Sequence, residues 1–217
     1  MKFISFRRHY LDIELNNIRK LLNGKVLDVG GKRDNRRGQF DPSSCGDAEW
    51  IFLNNDKSSN PDIVAELPSI PLPNNSIDVV VCTEVIEYIY DYQFFIKEVN
   101  RVLDKNGIFI LSSPFMSPFH ADQKYDYYRF TESLVRRELS IEFSIVSFQR
   151  MGGVISVTYD LVRSYFSYQV GGIFSKIFLK ALLMFSPFFI LLDKYLFKNN
   201  YYVNTGFFTV ARKEGKH

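Results

Sequence analysis

Apolar positions along the chain follow two periods, and the switches between them mark the elements. Leu11, Leu15, Ile18 and Leu22 recur at helical spacing, and Asn23-Gly24 stops the pattern, which predicts a helix over 9–23. Residues 25–29 (Lys-Val-Leu-Asp-Val) are short, apolar and β-branched, as a central parallel strand is, and open into Gly30-Gly31. The stretch 32–49 is polar and reads as loop with at most a short helix, although a βαβ unit would place a helix there. Residues 50–53 form a second strand ending at Asn54-Asn55-Asp56, and 62–67 a short third. Pro68, Pro71 and Pro73 exclude regular structure up to Ser76. Residues 77–82 are the most apolar run of this half and read as a fully buried strand. Residues 92–103 put Phe95, Ile96, Val99 and Leu103 on one helical face. Lys105-Asn106-Gly107 ends that helix, and 108–111 is the next strand, closed by Pro114. Strands alternating with helices predict a parallel sheet with helices on its faces.

Past Pro114 the pattern changes. Residues 117–129 are an aromatic and charged loop, and Thr131-Glu132 opens a helix to about Leu139 as an N-cap would. Residues 141–148 alternate as a strand. Residues 154–198 are apolar and helical, broken near Gly171-Gly172 and Ser186-Pro187, and 201–211 is a final strand. The expectation is a single domain, 1–217, with an apolar helical insertion at about 154–198 before the last strand.

Composition sharpens this picture only locally. The 217 residues suffice for one sizeable core. Aromatic residues reach 16%, from 21 Phe and 13 Tyr, and much of the excess follows Pro114. A net charge of +3 with no long basic block argues against nucleic acid as a partner. The cluster Lys32, Arg33, Arg36, Arg37 is interrupted by Asp34 and reads as a solvated loop. Cys45 lies in a polar loop and Cys82 in an apolar strand, which argues against a disulfide framework. Residues 1–10 carry basic side chains without an apolar run behind them, so no secretory signal is visible. A cytoplasmic location is expected.

The strand-to-glycine turn at Gly30-Gly31 suggests a cofactor site, because glycine admits close backbone approach and ligands of open α/β sheets bind beyond the strands' carboxyl ends. A dinucleotide site wants Gly-x-Gly-x-x-Gly running into a helix. Here six residues without glycine follow Gly31 and no helix pattern begins, so an oxidoreductase reading is weak. An S-adenosylmethionine site instead needs the close turn and a carboxylate after the second strand to take the ribose hydroxyls, and Asp56 stands there. With these, the runs Pro61-Asp62-Ile63-Val64-Ala65-Glu66-Leu67-Pro68, Asn75-Ser76-Ile77-Asp78-Val79-Val80-Val81-Cys82-Thr83-Glu84 and Val99-Asn100-Arg101-Val102-Leu103 follow in order. Together they resemble a class I S-adenosylmethionine-dependent methyltransferase, closest to the methyltransferase type 11 group. The resemblance implies a Rossmann-like, mostly parallel seven-stranded α/β sheet with helices on both faces and an antiparallel last strand. It also implies S-adenosylmethionine as cofactor. Asp28, Gly30 and Gly31 would face its methionyl part, Asp56 its ribose, Glu66 and Leu67 its adenine edge. Thr83 and Glu84 would close the site. Glu84 and Glu87 lie three apart and would share a face at a helix start, where Glu87 suits a capping role as well as a cofactor role.

The loop after Pro114 resembles a His…Asp-Tyr-Tyr-Arg-Phe-Thr signature found in a subgroup of these enzymes, several linked with cell-surface polysaccharides. If the acceptor is a hydroxyl, His120 or Asp126 could take its proton, and Arg129 could hold a carboxylate or phosphate on it. Equally, Asp126 and Arg129 could pair with each other and anchor the loop. The expected acceptor is a small molecule or glycan, lipid-linked or not; the alternative is a non-catalytic relative serving a membrane-associated biosynthetic complex. For residues 173–198 two readings stand: a helical lid or homodimer surface, and an interfacial helix pair with Lys176, Lys180, Lys194 and Lys198 near anionic lipid at the inner face of a membrane. The lysines and Ser186-Pro187 argue against a membrane span.

Overall fold

A computed structural model of the chain describes residues 5–34, 38–119, 123–196 and 202–214. The first helix, α1 (Phe6–Asn17), starts earlier than the periodicity predicts, because the Ser5 hydroxyl accepts from Arg8 N and caps it. A 3-10 turn (Arg19–Leu21) finishes the segment. The strands are β1 (Lys25–Val29), β2 (Glu49–Asn54), β3 (Ile63–Val64), β4 (Ile77–Thr83), β5 (Leu103–Pro114), β6 (Phe143–Met151) and β7 (Gly206–Lys213). They form one seven-stranded sheet in the order β3-β2-β1-β4-β5-β7-β6. Pairing is parallel from β3 to β5, and β7 runs antiparallel to both neighbours. The expected fold class is therefore the observed one.

Several strand boundaries depart from expectation. The third strand keeps only Ile63–Val64 instead of 62–67, because it pairs on one side only and β2 ends beside it. The fifth strand begins at Leu103 rather than Ile108: Asn106 takes a positive φ of 64°, and the register against β4 shifts between Ile77 and Val79, so the turn-like Lys105-Asn106-Gly107 is absorbed into the strand. The last strand starts at Gly206, later than 201, and Tyr201 lies outside the described residues.

Alternation along the strands builds a core on each face of the sheet. Leu27, Val29, Val80 and Cys82 pack with Phe95, Ile96 and Val99 of α2 (Tyr92–Val102) and Val135 and Leu139 of α3 (Glu132–Leu139). Val26, Val79 and Val81 pack on the other face with Leu11 and Leu15 of α1. Where a helix would follow β1, the described residues form a loop with a 3-10 turn (Pro42–Ser44) that packs on the sheet. Buried Asp12 of α1 holds it by accepting from Gln39 N (2.8 Å) and Phe40 N (3.4 Å). Arg101 of α2 ties down the proline loop, donating to Ile70 O, Leu72 O and Glu98.

The insertion comprises α4 (Val154–Tyr165), a π-type turn (Phe166–Val170), α5 (Gly172–Met184) and α6 (Ser186–Leu196), with breaks at the two places the sequence marks. It leaves the sheet after Met151 and returns at Gly206. These two residues pair with each other, and Gly206 also pairs with Pro114, so the insertion springs from the carboxyl edge of the parallel strands.

Candidate active site

The order of strands reverses between β1 and β4, which are neighbours in space but not in sequence. In open α/β sheets that point, at the carboxyl edge, is where ligands bind. The turn after β1 is built there. Gly30 has φ +72°, its N–H donates to Leu53 O (2.7 Å), and a Cβ on it would lie 2.4 Å from Val85 Cγ2. A Cβ on Gly31 would lie 2.2 Å from the Asp28 carboxyl, which folds over the glycine backbone. The Gly30 position therefore demands glycine and a side chain at Gly31 would displace the Asp28 carboxyl, so the turn brings main chain and that carboxylate to one side.

Asn54, the last residue of β2, was not singled out by sequence reasoning. Its buried amide donates to Gly30 O and Gly31 O, both at 3.0 Å, and its Oδ1 accepts from Asp56 N. It couples the glycine turn to the end of β2. The available signal was its place: a polar residue closing an apolar strand beside Gly-Gly.

Asp56 lies at this edge, its side chain partly exposed. It accepts from Ser58 N (2.9 Å) and Ser58 Oγ (2.5 Å), capping the turn Lys57–Ser59, and from Lys32 Nζ at 3.2 Å. The Ser58 and Lys32 donors hold its carboxyl below the usual carboxylate range. Arg33 reaches Asp62 at 2.5 Å and lies over the Phe52 ring, so Lys32 and Arg33 both bind back over the end of β2. Arg36 and Arg37 lie outside the described residues. Glu66 is exposed, while Leu67 is half-buried against the core beyond β3.

Thr83 ends β4 and Glu84 follows with φ 59°. Glu84 Oε1 accepts from Ser112 Oγ (2.9 Å), its N–H donates to the same hydroxyl, and Oε2 lies 2.6 Å from Arg7 Nη1. The first turn of α1 thus reaches over the β4 end. Glu87 is fully buried in the turn Ile86–Tyr88, and its carbonyl accepts from Tyr127 N.

Beyond β5, Arg129 grips Asp126 with both nitrogens (2.5 and 2.6 Å) and donates to Pro118 O and Tyr128 O. The Asp126 side chain has no exposed surface. The two side chains pair with each other, as one of the two readings expects, but Tyr125 and Tyr127 beside them are exposed rather than packed as core. The Asp126 carboxylate holds the Arg129 guanidinium above its ordinary pKa. Around the pair Tyr90, Tyr125, Tyr127 and Phe119 expose their rings, while Tyr128 donates its hydroxyl to Tyr90 O. His120 lies outside the described residues.

Residues 46–111 match the family described as "Methyltransferase domain". Over 48 residues the chain is 46% identical to a probable S-adenosylmethionine-dependent methyltransferase of Mycolicibacterium smegmatis, covering 22% of this chain. That alignment spans about a fifth of the relative's length, 19%. Two solved structures share the fold. Phosphoethanolamine N-methyltransferase 2 of Haemonchus contortus, in complex with S-adenosyl-L-methionine, superposes with TM-score 0.60 at 13% identity over 95% of this chain and 52% of that one. The [4+2]-cyclase SpnF superposes with TM-score 0.58 at 16% identity over 94% and 82%. Over the matched segment the chain is thus similar to S-adenosylmethionine-dependent methyltransferases, and its strand order is the fold of the two solved structures.

Proposed function

We propose that the protein binds S-adenosylmethionine and methylates a small-molecule or glycan-like acceptor at the carboxyl edge of its sheet. One observation carries this reading: the Gly30-Gly31 turn, closed over by Asp28 and set against the ends of β2 and β4 where strand order reverses. The residues present fit the cofactor. Asp28 with Gly30 and Gly31 would take its methionyl end. Asp56, an ionised acceptor at the solvent edge, would exchange Lys32 and Ser58 for ribose hydroxyls. Glu66 and Leu67 would border the adenine, and Thr83 and Glu84 the opposite wall.

Bound there, S-adenosylmethionine would supply an electrophilic methyl on its sulfonium. The chain's own contribution is to hold the acceptor in line and exclude water, and proximity and orientation supply much of the rate in such a transfer. The exposed rings of Tyr90, Tyr125, Tyr127 and Phe119 offer flat apolar surfaces beside the edge, suited to the C–H face of a sugar or another ring. Asp126, committed to Arg129, holds the loop, and within this proposal His120 is the group left to take an acceptor proton.

The second reading, a non-catalytic relative, is favoured by one feature: Glu84 and Asp56 both have a cation from this chain against them, Arg7 and Lys32. Calorimetric titration with S-adenosylmethionine, S-adenosylhomocysteine and NAD separates the readings. Binding of the two sulfur ligands and not NAD is expected. Failure of both sulfur ligands would favour the non-catalytic reading, and NAD binding would favour an oxidoreductase.

A further inference from the structure

We propose that the α5–α6 hairpin docks this protein on an anionic lipid surface, with the carboxyl edge of the sheet turned toward the headgroups. The outer face of the hairpin is apolar. Ile173 (74% exposed), Phe174, Ile177 and Met184 (68%) project from one side of α5, opposite buried Ser175. Phe188, Leu191 and Tyr195 (72%) project from one side of α6, opposite buried Asp193. Each helix thus buries one face on the protein and presents a second apolar face to the outside, and a patch of this kind marks an interaction surface.

Charge selects the occupant. Lys176, Lys180 and Lys194 are the exposed charged side chains of α4 to α6, and all are basic. The carboxylates of the same segment, Asp160 and Asp193, are buried. A twofold contact between copies would set these lysines against themselves with no acid to meet them. A lipid surface of negative charge matches both features: apolar side chains enter the headgroup zone and lysines along the border reach phosphates. Between α4 and α5 a groove of about 220 Å³ brings Arg163 and Lys180 together with Leu179, Leu182 and Leu183, the mixture a lipid headgroup and its first methylenes require.

Geometry argues for lying on the surface. No single described helix is long and apolar enough to cross a membrane; α5 and α6 together have the length and composition of a span, but they meet at a 51° bend. A helix of 13 residues covers about 20 Å, short of the roughly 30 Å hydrocarbon core. Both ends of the insertion return to the carboxyl edge, between Met151 and Gly206. The insertion also meets the site cover: Phe6 stacks on Tyr159 at 4.0 Å, and the next residue, Arg7, reaches Glu84. Docking by the hairpin therefore brings the site mouth to the headgroup level. The acceptor that follows is one carried on a lipid; this last step rests on the methyltransferase reading, whereas the docking does not.

The test is co-sedimentation of the full chain with phosphatidylcholine vesicles, with and without phosphatidylglycerol, alongside S-adenosylhomocysteine titration. Wild-type protein is expected to pellet with the anionic vesicles. The outer-face variant Ile177→Asp/Met184→Asp and the charge variant Lys176→Glu/Lys180→Glu should each bind about tenfold more weakly, with circular dichroism and S-adenosylhomocysteine affinity unchanged. No lipid-dependent pelleting by a chain that binds S-adenosylhomocysteine would overturn the docking and leave the methyltransferase reading standing. Pelleting without S-adenosylhomocysteine binding would support the docking and sink the lipid-borne acceptor. A dimer in sedimentation velocity that Ile177→Asp dissolves, with no vesicle binding, would assign the face to a second copy and overturn the proposal.

Discussion

The carboxyl edge of the sheet has two halves that use carboxylates in opposite ways. Over β1, β2 and β4, Asp56 and Glu84 meet side-chain cations, and the Asp56–Lys32 pair is solvated, with side chains 40% and 41% exposed. Over β5 to β7, Asp160 and Asp193 are buried and bind mostly main chain. Asp160 takes Phe6 N (2.9 Å) and Arg7 N (3.1 Å), filling the unsatisfied donors at the start of α1. Asp193 takes Gly153 N, Ile155 N, the Ser156 hydroxyl and the Tyr10 hydroxyl. A solvated pair such as Asp56–Lys32 can exchange for a ligand's hydroxyls. The buried carboxylates of the second half cannot, because each would strand several buried donors. On the proposed reading the first half binds the cofactor, while the second holds the insertion in place.

The largest effect expected from this contrast is on stability. Asp193→Ala removes the acceptor shared by α4, the turn before it and α1, and should cost about 3 kcal/mol. In a domain of this size that lowers Tm by roughly 6–12 °C in a circular dichroism melt. S-adenosylhomocysteine affinity below the melt should hold. An unchanged Tm would mean that the insertion is not pinned through this carboxylate.

Asp28→Ala breaks the binding half instead. It should weaken S-adenosylmethionine by roughly thirtyfold, the loss of one good charge-assisted contact, with little change in Tm. Asp56→Ala should weaken it by roughly tenfold, because a ribose must displace donors that Asp56 already has. Asp56→Ala weaker than Asp28→Ala would fit the pairings at β1 and β2. Unchanged affinity in both would remove the cofactor from this edge.

These residues differ in how far the sequence discloses them. Asp28, Gly30, Asp56 and Thr83 follow from order along the chain, since each sits where an apolar β-branched run ends. Strand β4 and helix α2 are legible for the same reason: one is a continuous buried run, the other a 3.6-residue stripe. The start of β5 is hidden because Asn106 and Gly107 carry turn chemistry while taking part in a bulged strand. The Asn54 link to Gly30 and the Arg7–Glu84 pair are invisible in sequence, because each joins segments that only the sheet brings together. The Asp126–Arg129 pair was legible from the sequence as a possible contact, but the full burial of its carboxylate was not.

A smaller effect is expected where the halves touch. Arg7→Met leaves Glu84 with Ser112 as its partner and removes a cation whose side chain is 13% exposed, a loss of about 1–2 kcal/mol. It should lower Tm by a few degrees and raise the rate at which amides of the first turn of α1 exchange hydrogen. If α1 covers the β4 end through this contact, S-adenosylhomocysteine should also associate faster in stopped-flow fluorescence. Unaltered exchange and association would show that the other contacts of α1, to Asp160 and Asp193, hold it without Arg7.

The smallest effect should come from Lys32→Ala, in the part of the glycine turn least like a dinucleotide loop. The pair with Asp56 is solvated and screened, so no measurable shift in Tm is expected. Its consequence lies in competition. With Lys32 absent, Asp56 keeps its cap on Ser58 but has one cation fewer to exchange for ribose hydroxyls. S-adenosylmethionine affinity should then rise by up to about threefold at low salt, and the difference should fade as salt screens the wild-type pair. A large fall in affinity would instead make Lys32 a direct contact of the cofactor. The Gly31-Lys32 step would then belong to the binding surface rather than guard it.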